Sequence, residues 1–463
     1  MVIAKHISPA DVHLYAVDAG SNALLPLALL PHTGAVVTRD QTERITRLTT
    51  LLKTMIADRQ QQLAVGGFAN LEEQRRGSAV AHRLPYVIFM LDAWDVFHQT
   101  YENVDSGELI QAVTQIAQEG PGVGITCIVT GNRTLMMGRI SNLFPDKLTL
   151  RMTNPSDYID IGMPLRSAPS SVVSGRAFSS HNVTETQVAL VAADPSGQAQ
   201  VEALQLAAQQ AEQHWQSLPT EARPEHVDVL PIKFDLSEMG TVPLVDDGPH
   251  ALPIMVGGDT LSLYCLDSID HGPGFLVAGP RRSGRSTVLK MLALFALHKG
   301  WSVLGITMRQ SALHSLAHDQ NLIGILDGNT VDKETLEAAL KQLTEENNPS
   351  LVLVDDMERM AHEGWLSESL AAHLDAIRDT GSALAGAATS GETNAYRGIM
   401  AALKKAHSGV LLSPQVLGDR EPFGTTIPKS ALGLTLPPGA GFPVRTGAAI
   451  RAQVVYPDIP VPI

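Results

Sequence analysis

The stretch Phe275–Leu292, FLVAGPRRSGRSTVLKML, decides how the rest of the chain is read. A short apolar run leads into a glycine-rich turn, and a segment that is apolar almost all round follows. That order predicts a buried strand, a tight loop and a central buried helix closed by Lys299 and Gly300. Gly279, Pro280, Arg281, Arg282, Ser283, Gly284, Arg285, Ser286 and Thr287 match G-x-x-x-x-G-K-[S/T] except at the lysine, where Arg285 stands. Glycines let successive N–H groups turn inward towards phosphate oxygens. The helix start at Ser286 and Thr287 adds partial positive charge, and the Ser286 hydroxyl suits Mg²⁺. Arg285 keeps the charge but replaces a compact ammonium by a planar fork. Phosphate binding is therefore expected to survive better than catalysis. The plain alternative is an accidental glycine-rich turn before a helix.

Downstream lies SLVLVDDMERM, Ser350–Met360, a buried strand ending on carboxylates. Asp355 is expected to hold Mg²⁺, directly or through water. Asp356 takes the place where proteins with a phosphate loop of this type often carry a water-orienting glutamate, and it is one methylene shorter. A solvated or capping acidic pair is the alternative. Strands are expected at 274–278, 301–307, 351–355, 383–388 and 409–412. Helices are expected at 287–299, 335–345 and 366–380. Strands alternating with helices at this spacing imply a parallel sheet covered on both faces.

The first half has the same grammar. Strands are expected up to Asp18, at 86–91 leading into Asp92, and in GITCIVTGNR. Long helical patterns separate them, and Ala199–Trp215 reads as a further helix. The halves are expected to be diverged copies. The glycine-rich loop of the first copy would fall near or before Met1, so that copy is expected to begin after its own loop. Its strand ends on Asp92 and then Ala93, and alanine cannot orient water. Trp94 and Phe97 are expected to pack. Arg133, after a buried strand, is a candidate γ-phosphate sensor or arginine finger, and equally an arginine paired with a carboxylate. His314 and His318 are spaced as helical metal ligands but lack a third partner in sequence, so no metal role is assigned.

Composition narrows the classes. The chain has 463 residues and a formal net charge of −14. Affinity for duplex DNA comes largely from Lys and Arg on phosphates, so DNA is a disfavoured partner. The only cysteines, Cys127 and Cys265, sit in apolar runs and read as free buried thiols. No run approaches the roughly 20 apolar residues a spanning helix needs. Six prolines and many acidic residues fall between 216 and 254. The expected division is therefore 1–215, a linker or edge segment at 216–252, and 253–463.

With these motifs in place the chain resembles the FtsK-like ATPase domains of EccC, the motor of type VII secretion. The second half carries the resemblance in LPIMVGGDTLSLYCLDSIDHGPGFLVAGPRRSGRSTVLKML, LVLVDDMERM and LPPGAGFPVRTGAAIRAQVVYP. The first half carries it in SPADVHLYAVDAGSNALLPLALLPHTGAVV, LPYVIFMLDAWDVF, GITCIVTGNR and VSGRAFSSHNVTETQVALVA. The resemblance implies an α/β fold of two tandem P-loop NTPase (RecA/FtsK-like) domains, the second of the family without its start and then the third. It implies ATP and Mg²⁺ as cofactors, with weak or absent hydrolysis, because the later family domains are degenerate. Implied partners are exported WxG100-type helical proteins, other subunits of the machine and further copies of the chain. The implied location is cytoplasmic, at the inner face of the membrane through partners or a missing N-terminal part. Competing readings are a DNA translocase and a nucleotide-independent scaffold.

Overall fold

The computed structural model describes residues 5–457 apart from 137, 162, 165–168, 170, 181–182, 245–247, 260, 317–319, 346–347, 361–363, 394, 428 and 445–449. His318 lies outside the described residues. The chain divides into two compact units, Met1–Asp228 and Val229–Ile463, a boundary inside the proline-rich stretch.

In the first unit, short apolar runs form β1 (Val12–Asp18), β2 (Thr33–Thr38), β3 (Tyr86–Asp92) and β4 (Ile125–Val129). They make one parallel sheet in the order β2-β1-β3-β4. Strand alternation sends Tyr15 and Val17 to one face, where they meet α1 (Thr42–Gly66), α2 (Trp94–Tyr101) and α3 (Glu108–Glu119). Val12 and Leu14 point the other way, towards Ala208 and Ala211 of α4 (Gly197–Trp215). A small antiparallel sheet follows β4 in sequence: β5 (Leu148–Thr149), β6 (Arg176–Ser179) and β7 (Glu185–Gln187).

The second unit contains β8 (Phe234–Asp235), β9 (Ala251–Gly257), β10 (Ser262–Asp267) and β11 (Gly274–Ala278). Next come β12 (Ser302–Thr307), β13 (Leu322–Asp327), β14 (Ser350–Asp355) and β15 (Ala383–Ala388). The last three are β16 (Gly409–Leu412), β17 (Ala440–Val444) and β18 (Ala452–Tyr456). Their order is β10-β9-β18-β17-β16-β11-β15-β14-β12-β13, with β8 on β18. The six strands from β16 to β13 run parallel, and β10, β9, β18 and β17 form an antiparallel extension on which β8 adds a short parallel pair.

One face of this sheet packs on α5 (Arg285–His298) through Val288, Leu289, Leu292 and Ala296. The other packs on α6 (Lys333–Glu345), α7 (Trp365–Ala376) and α8 (Gly398–Ala406). Thus α5 is the buried helix that its all-round apolar pattern demands. Its end is held by Lys299, whose ammonium donates to the carbonyls of Gly248, Pro249 and Ala251 at 3.3, 3.1 and 2.7 Å.

The repeat expected from sequence has a structural counterpart. The order β2-β1-β3-β4 reproduces β13-β12-β14-β15, all parallel. In the second unit β15 also pairs with β11, the strand that feeds the glycine-rich loop. The two stretches 301–307 and 351–355 are strands as expected, whereas β13 and the antiparallel extension were not foreseen. A six-residue strand carrying one glycine and no charge before Asp327 gives a weak signal by itself.

Part of the proline-rich stretch is bound to the first unit. Glu225–Asp228 run along β2: the Val227 N–H donates to the Gly34 carbonyl at 3.3 Å, and Tyr15 donates to the Glu225 carbonyl at 3.0 Å. Arg44 and Arg47 of α1 donate to the carbonyls of Val227 and Asp228 at 2.6 and 2.8 Å.

Candidate phosphate-binding site

The loop from β11 to α5 is shaped by two glycines. Gly284 sits at φ 106, open to glycine but strained for other residues. A Cβ on Gly279 would lie 2.6 Å from the Ser283 hydroxyl and 2.9 Å from Leu412 Cβ. The Gly439 N–H donates to the Ser283 carbonyl at 2.8 Å, so the turn before β17 clasps the loop. Ser283 is buried, and its hydroxyl has no hydrogen-bond partner. Arg281 and Arg282 are exposed, while Pro280, Ser286 and Thr287 are half-buried.

Arg285, at 6% exposure, points into a cluster of carboxylates rather than out to solvent. Its Nη1 donates to Glu358 Oε1 at 3.2 Å and to Thr389 Oγ1 at 2.9 Å. Its Nη2 lies 3.5 Å from Asp356 Oδ1. Thr389 in turn donates its hydroxyl to Glu358 Oε1 at 2.8 Å and its N–H to Oε2 at 3.3 Å. On the opposite side, Arg309 grips Asp356 with both prongs: Nε bonds Oδ2, and Nη2 bonds Oδ1 at 2.7 Å. That bonding raises the Arg309 pKa above its ordinary value.

Asp355 accepts from the Ser311 hydroxyl and from the Asp356 N–H. The site thus joins two guanidiniums to the carboxylates of Asp356 and Glu358, with Asp355 beside them on neutral donors; Asp355 and Asp356 are at 1% and 2% exposure. Buried charges at this density persist only when mutually paired.

Sequence reasoning brought together the loop, Asp355 and Asp356. It missed Glu358, Thr389, Arg309 and Ser311. Glu358 had a signal, since it lies two residues past Asp356 on a single turn. Arg309 and Ser311 follow β12, which the sequence marked as a strand, but nothing in the spacing says that β12 lies beside β14.

Among its described residues the first unit shows no such cluster. Asp92 accepts from the Thr130 hydroxyl. Ala93 offers only its N–H, which donates to Thr130 Oγ1 at 3.0 Å. Arg133 pairs with Asp157 at 3.1 Å and Asp160 at 3.8 Å. The carboxylate-paired alternative is therefore the arrangement seen. Trp94 and Phe97 are buried and stacked, ring centroids 5.9 Å apart, as packing residues. A groove of about 1000 Å³ lies on this unit, lined by Trp94, Asp95, His98, Gln111, Asn132 and Arg139.

Neither cysteine is in a disulfide; Cys265 is buried as expected, whereas Cys127 is half-buried, and its partial burial pushes the thiol up to about 12. Among the described residues no cluster of three His, Cys, Asp or Glu side chains could hold a metal. No described helix is long and apolar enough to cross a membrane.

No protein-family model matches the chain. Individual relatives do. The chain is 25% identical over 324 residues to the ESX secretion system protein EccC of Thermomonospora curvata, which covers 69% of this chain and 23% of that protein. It is 27% identical over 300 residues to the ESX-1 secretion system protein EccCb1 of Mycolicibacterium smegmatis, covering 62% of this chain and 48% of the relative. The chain therefore spans less than half of each of these relatives.

Among solved structures, EssC (ATPases 2 and 3) from Geobacillus thermodenitrificans superposes with a TM-score of 0.74 at 21% identity, over 98% of this chain and 87% of the other. Thermomonospora curvata EccC (ATPases 2 and 3), in complex with a signal sequence peptide, gives 0.62 at 22% identity, over 99% and 84%. The fold is that of tandem EssC/EccC ATPase domains, and the resemblance read from the motifs is borne out.

Proposed function

We propose that the chain is an ATP-binding component of a type VII, EccC-type secretion machine, holding nucleotide in its second unit. The observation that carries this reading is the loop 279–287: a glycine-shaped turn at the start of a fourteen-residue helix, with the Ser283 hydroxyl buried and unpartnered inside it. The donor set fits Mg²⁺, which is bound by few protein ligands and completed by water and phosphate. Ser286 supplies a half-buried hydroxyl. Asp355, with one donor on each oxygen, keeps lone pairs for a metal-bound water. When bound, the metal neutralises phosphate charge.

Hydrolysis is weak or absent in this reading. Asp356 is short for orienting water, and both of its oxygens are already bonded to Arg309. Exported helical WxG100-type proteins, neighbouring subunits and further copies of the chain are the proposed partners. A docking edge is available at β13, which ends its sheet with Leu322–Leu326 only half-buried. The proposed location is cytoplasmic, at the inner face of the membrane through partners.

One observation favours the scaffold reading: Arg285 is already satisfied by protein groups. Melting with and without millimolar Mg-ATP decides between them. A ligand at a hundred times its Kd stabilises the folded state by about 2.7 kcal/mol. A rise in the Tm of the second unit that Arg285→Ala abolishes supports the nucleotide reading. The same Tm with and without Mg-ATP in the wild-type chain sinks it.

A further inference from the structure

Arg309 belongs to none of the motifs that marked the loop, yet it shares a carboxylate with Arg285. Asp356 Oδ1 lies 2.7 Å from Arg309 Nη2 and 3.5 Å from Arg285 Nη2. The two guanidinium heads are therefore separated by the width of one carboxylate. An anion that reaches the inner end of the loop beside Arg285 is within reach of Arg309 as well. The mobility of the two differs. Arg285 is enclosed, while the Arg309 side chain is 47% exposed and can swing without opening the core.

We infer that Arg309 is a specificity-determining residue that reads the terminal phosphate of a nucleoside triphosphate, exchanging Asp356 for that phosphate. The inference rests on the nucleotide reading of the loop. A guanidinium fork matches a phosphate as well as a carboxylate, and the incoming group carries more charge. Asp356 keeps Arg285 as partner during the exchange, so no buried charge is left bare. A diphosphate reaches less far along the loop and leaves the Arg309–Asp356 pair closed. The pair thus works as a two-position contact whose state reports which nucleotide is bound.

The test uses the full chain and compares Kd for Mg-ATP and Mg-ADP in wild type, Arg309→Ala, Arg309→Lys and Asp356→Asn. Arg309→Ala should shrink the preference for ATP by about tenfold or more, the size expected for losing a charge-assisted bond, with ADP affinity changed less than threefold. Arg309→Lys, which keeps charge and loses the fork, should fall between. Asp356→Asn frees Arg309 and should tighten ATP selectively. An unchanged ATP-to-ADP ratio in Arg309→Ala that still binds ATP overturns the inference and leaves the nucleotide reading standing. If wild type binds neither nucleotide, the nucleotide reading itself falls, and the inference with it. Arg309→Lys retains the ion pair, so the comparison survives a poorly folded alanine variant.

Discussion

β3 and β14 hold the same place in their sheets, each ends on an aspartate, and each leaves through a left-handed residue. That residue is Ala93 at φ 59 in one unit and Asp356 at φ 54 in the other. The backbone turn is shared, but its chemistry is not. In the second unit the strained position presents a carboxylate to two arginines. In the first it presents a methyl group, and the nearby Arg133 turns to Asp157 and Asp160 instead. A non-glycine residue at positive φ costs free energy, and such strain concentrates where a site is built. The first unit has kept the geometry of such a site without its ligands. Edge strands differ in the same spirit. β2 is covered by Glu225–Asp228 of the chain itself, with Val227 fully buried, whereas β13 stays half-buried at the end of its sheet.

Two substitutions of arginine should separate the units most clearly, and one of them has the largest effect expected here. Arg285→Ala leaves Glu358 without its counter-charge, while Asp356 keeps Arg309. It should destabilise the second unit by about 3 kcal/mol, read as an earlier calorimetric transition with the first unit's transition unmoved. If both transitions shift together, the unit-specific account of the cluster is wrong.

Acid should strike both units through different histidines. Burial lowers the pKa of His13 in the first unit and His373 in the second to about 4 each. A histidine buried neutral is less protonated in the folded state than in the unfolded one, whose pKa is near 6.5. Its contribution is complete above pH 6.5 and is lost as pH falls towards 4. Between pH 7 and 5 each should cost its unit about 2 kcal/mol. Denaturant titrations of His13→Gln and His373→Gln at those two pH values should each flatten the acid loss of one unit only.

Ala93→Gly relieves the left-handed strain and should stabilise the first unit by about 0.5–1 kcal/mol, measured as a higher denaturation midpoint. The matching Asp356→Gly should do the reverse, because it strips the carboxylate from between Arg285 and Arg309. A loss of stability in Ala93→Gly would show that the methyl packs in a way the turn alone does not require. Arg133→Ala should have the smallest effect, under about 1 kcal/mol, because half of that side chain is in water and surface pairs contribute little.

Much of the fold was legible because the signals are local. Strands β11, β15 and β16 begin and end where the apolar runs do, and α5 is buried because it has no polar face to expose. Asp92–Ala93 and Asp355–Asp356 could be set side by side from sequence alone, since both follow a run that only a buried strand explains. Other parts were not legible. β13 carries no distinctive pattern, and the antiparallel pairings of β18 with β9 and of β17 with β16 span long connections, which leave no mark in spacing. Arg133 was read between two roles because a sequence does not say which carboxylates will fold back beside it.

What the sequence by itself determined is the order of motifs and its consequences: two α/β halves, one phosphate-type loop, and off-pattern residues at Ala93, Arg285 and Asp356. These follow from residue chemistry within a few positions. Only the tertiary structure decided where Arg285 points. Its partners lie 71, 73 and 104 residues away along the chain. Strand order brings β12 and β14 together and places Arg309 opposite it. Charges settle where burial and counter-charge are both available, and that pairing exists only once the sheet has assembled.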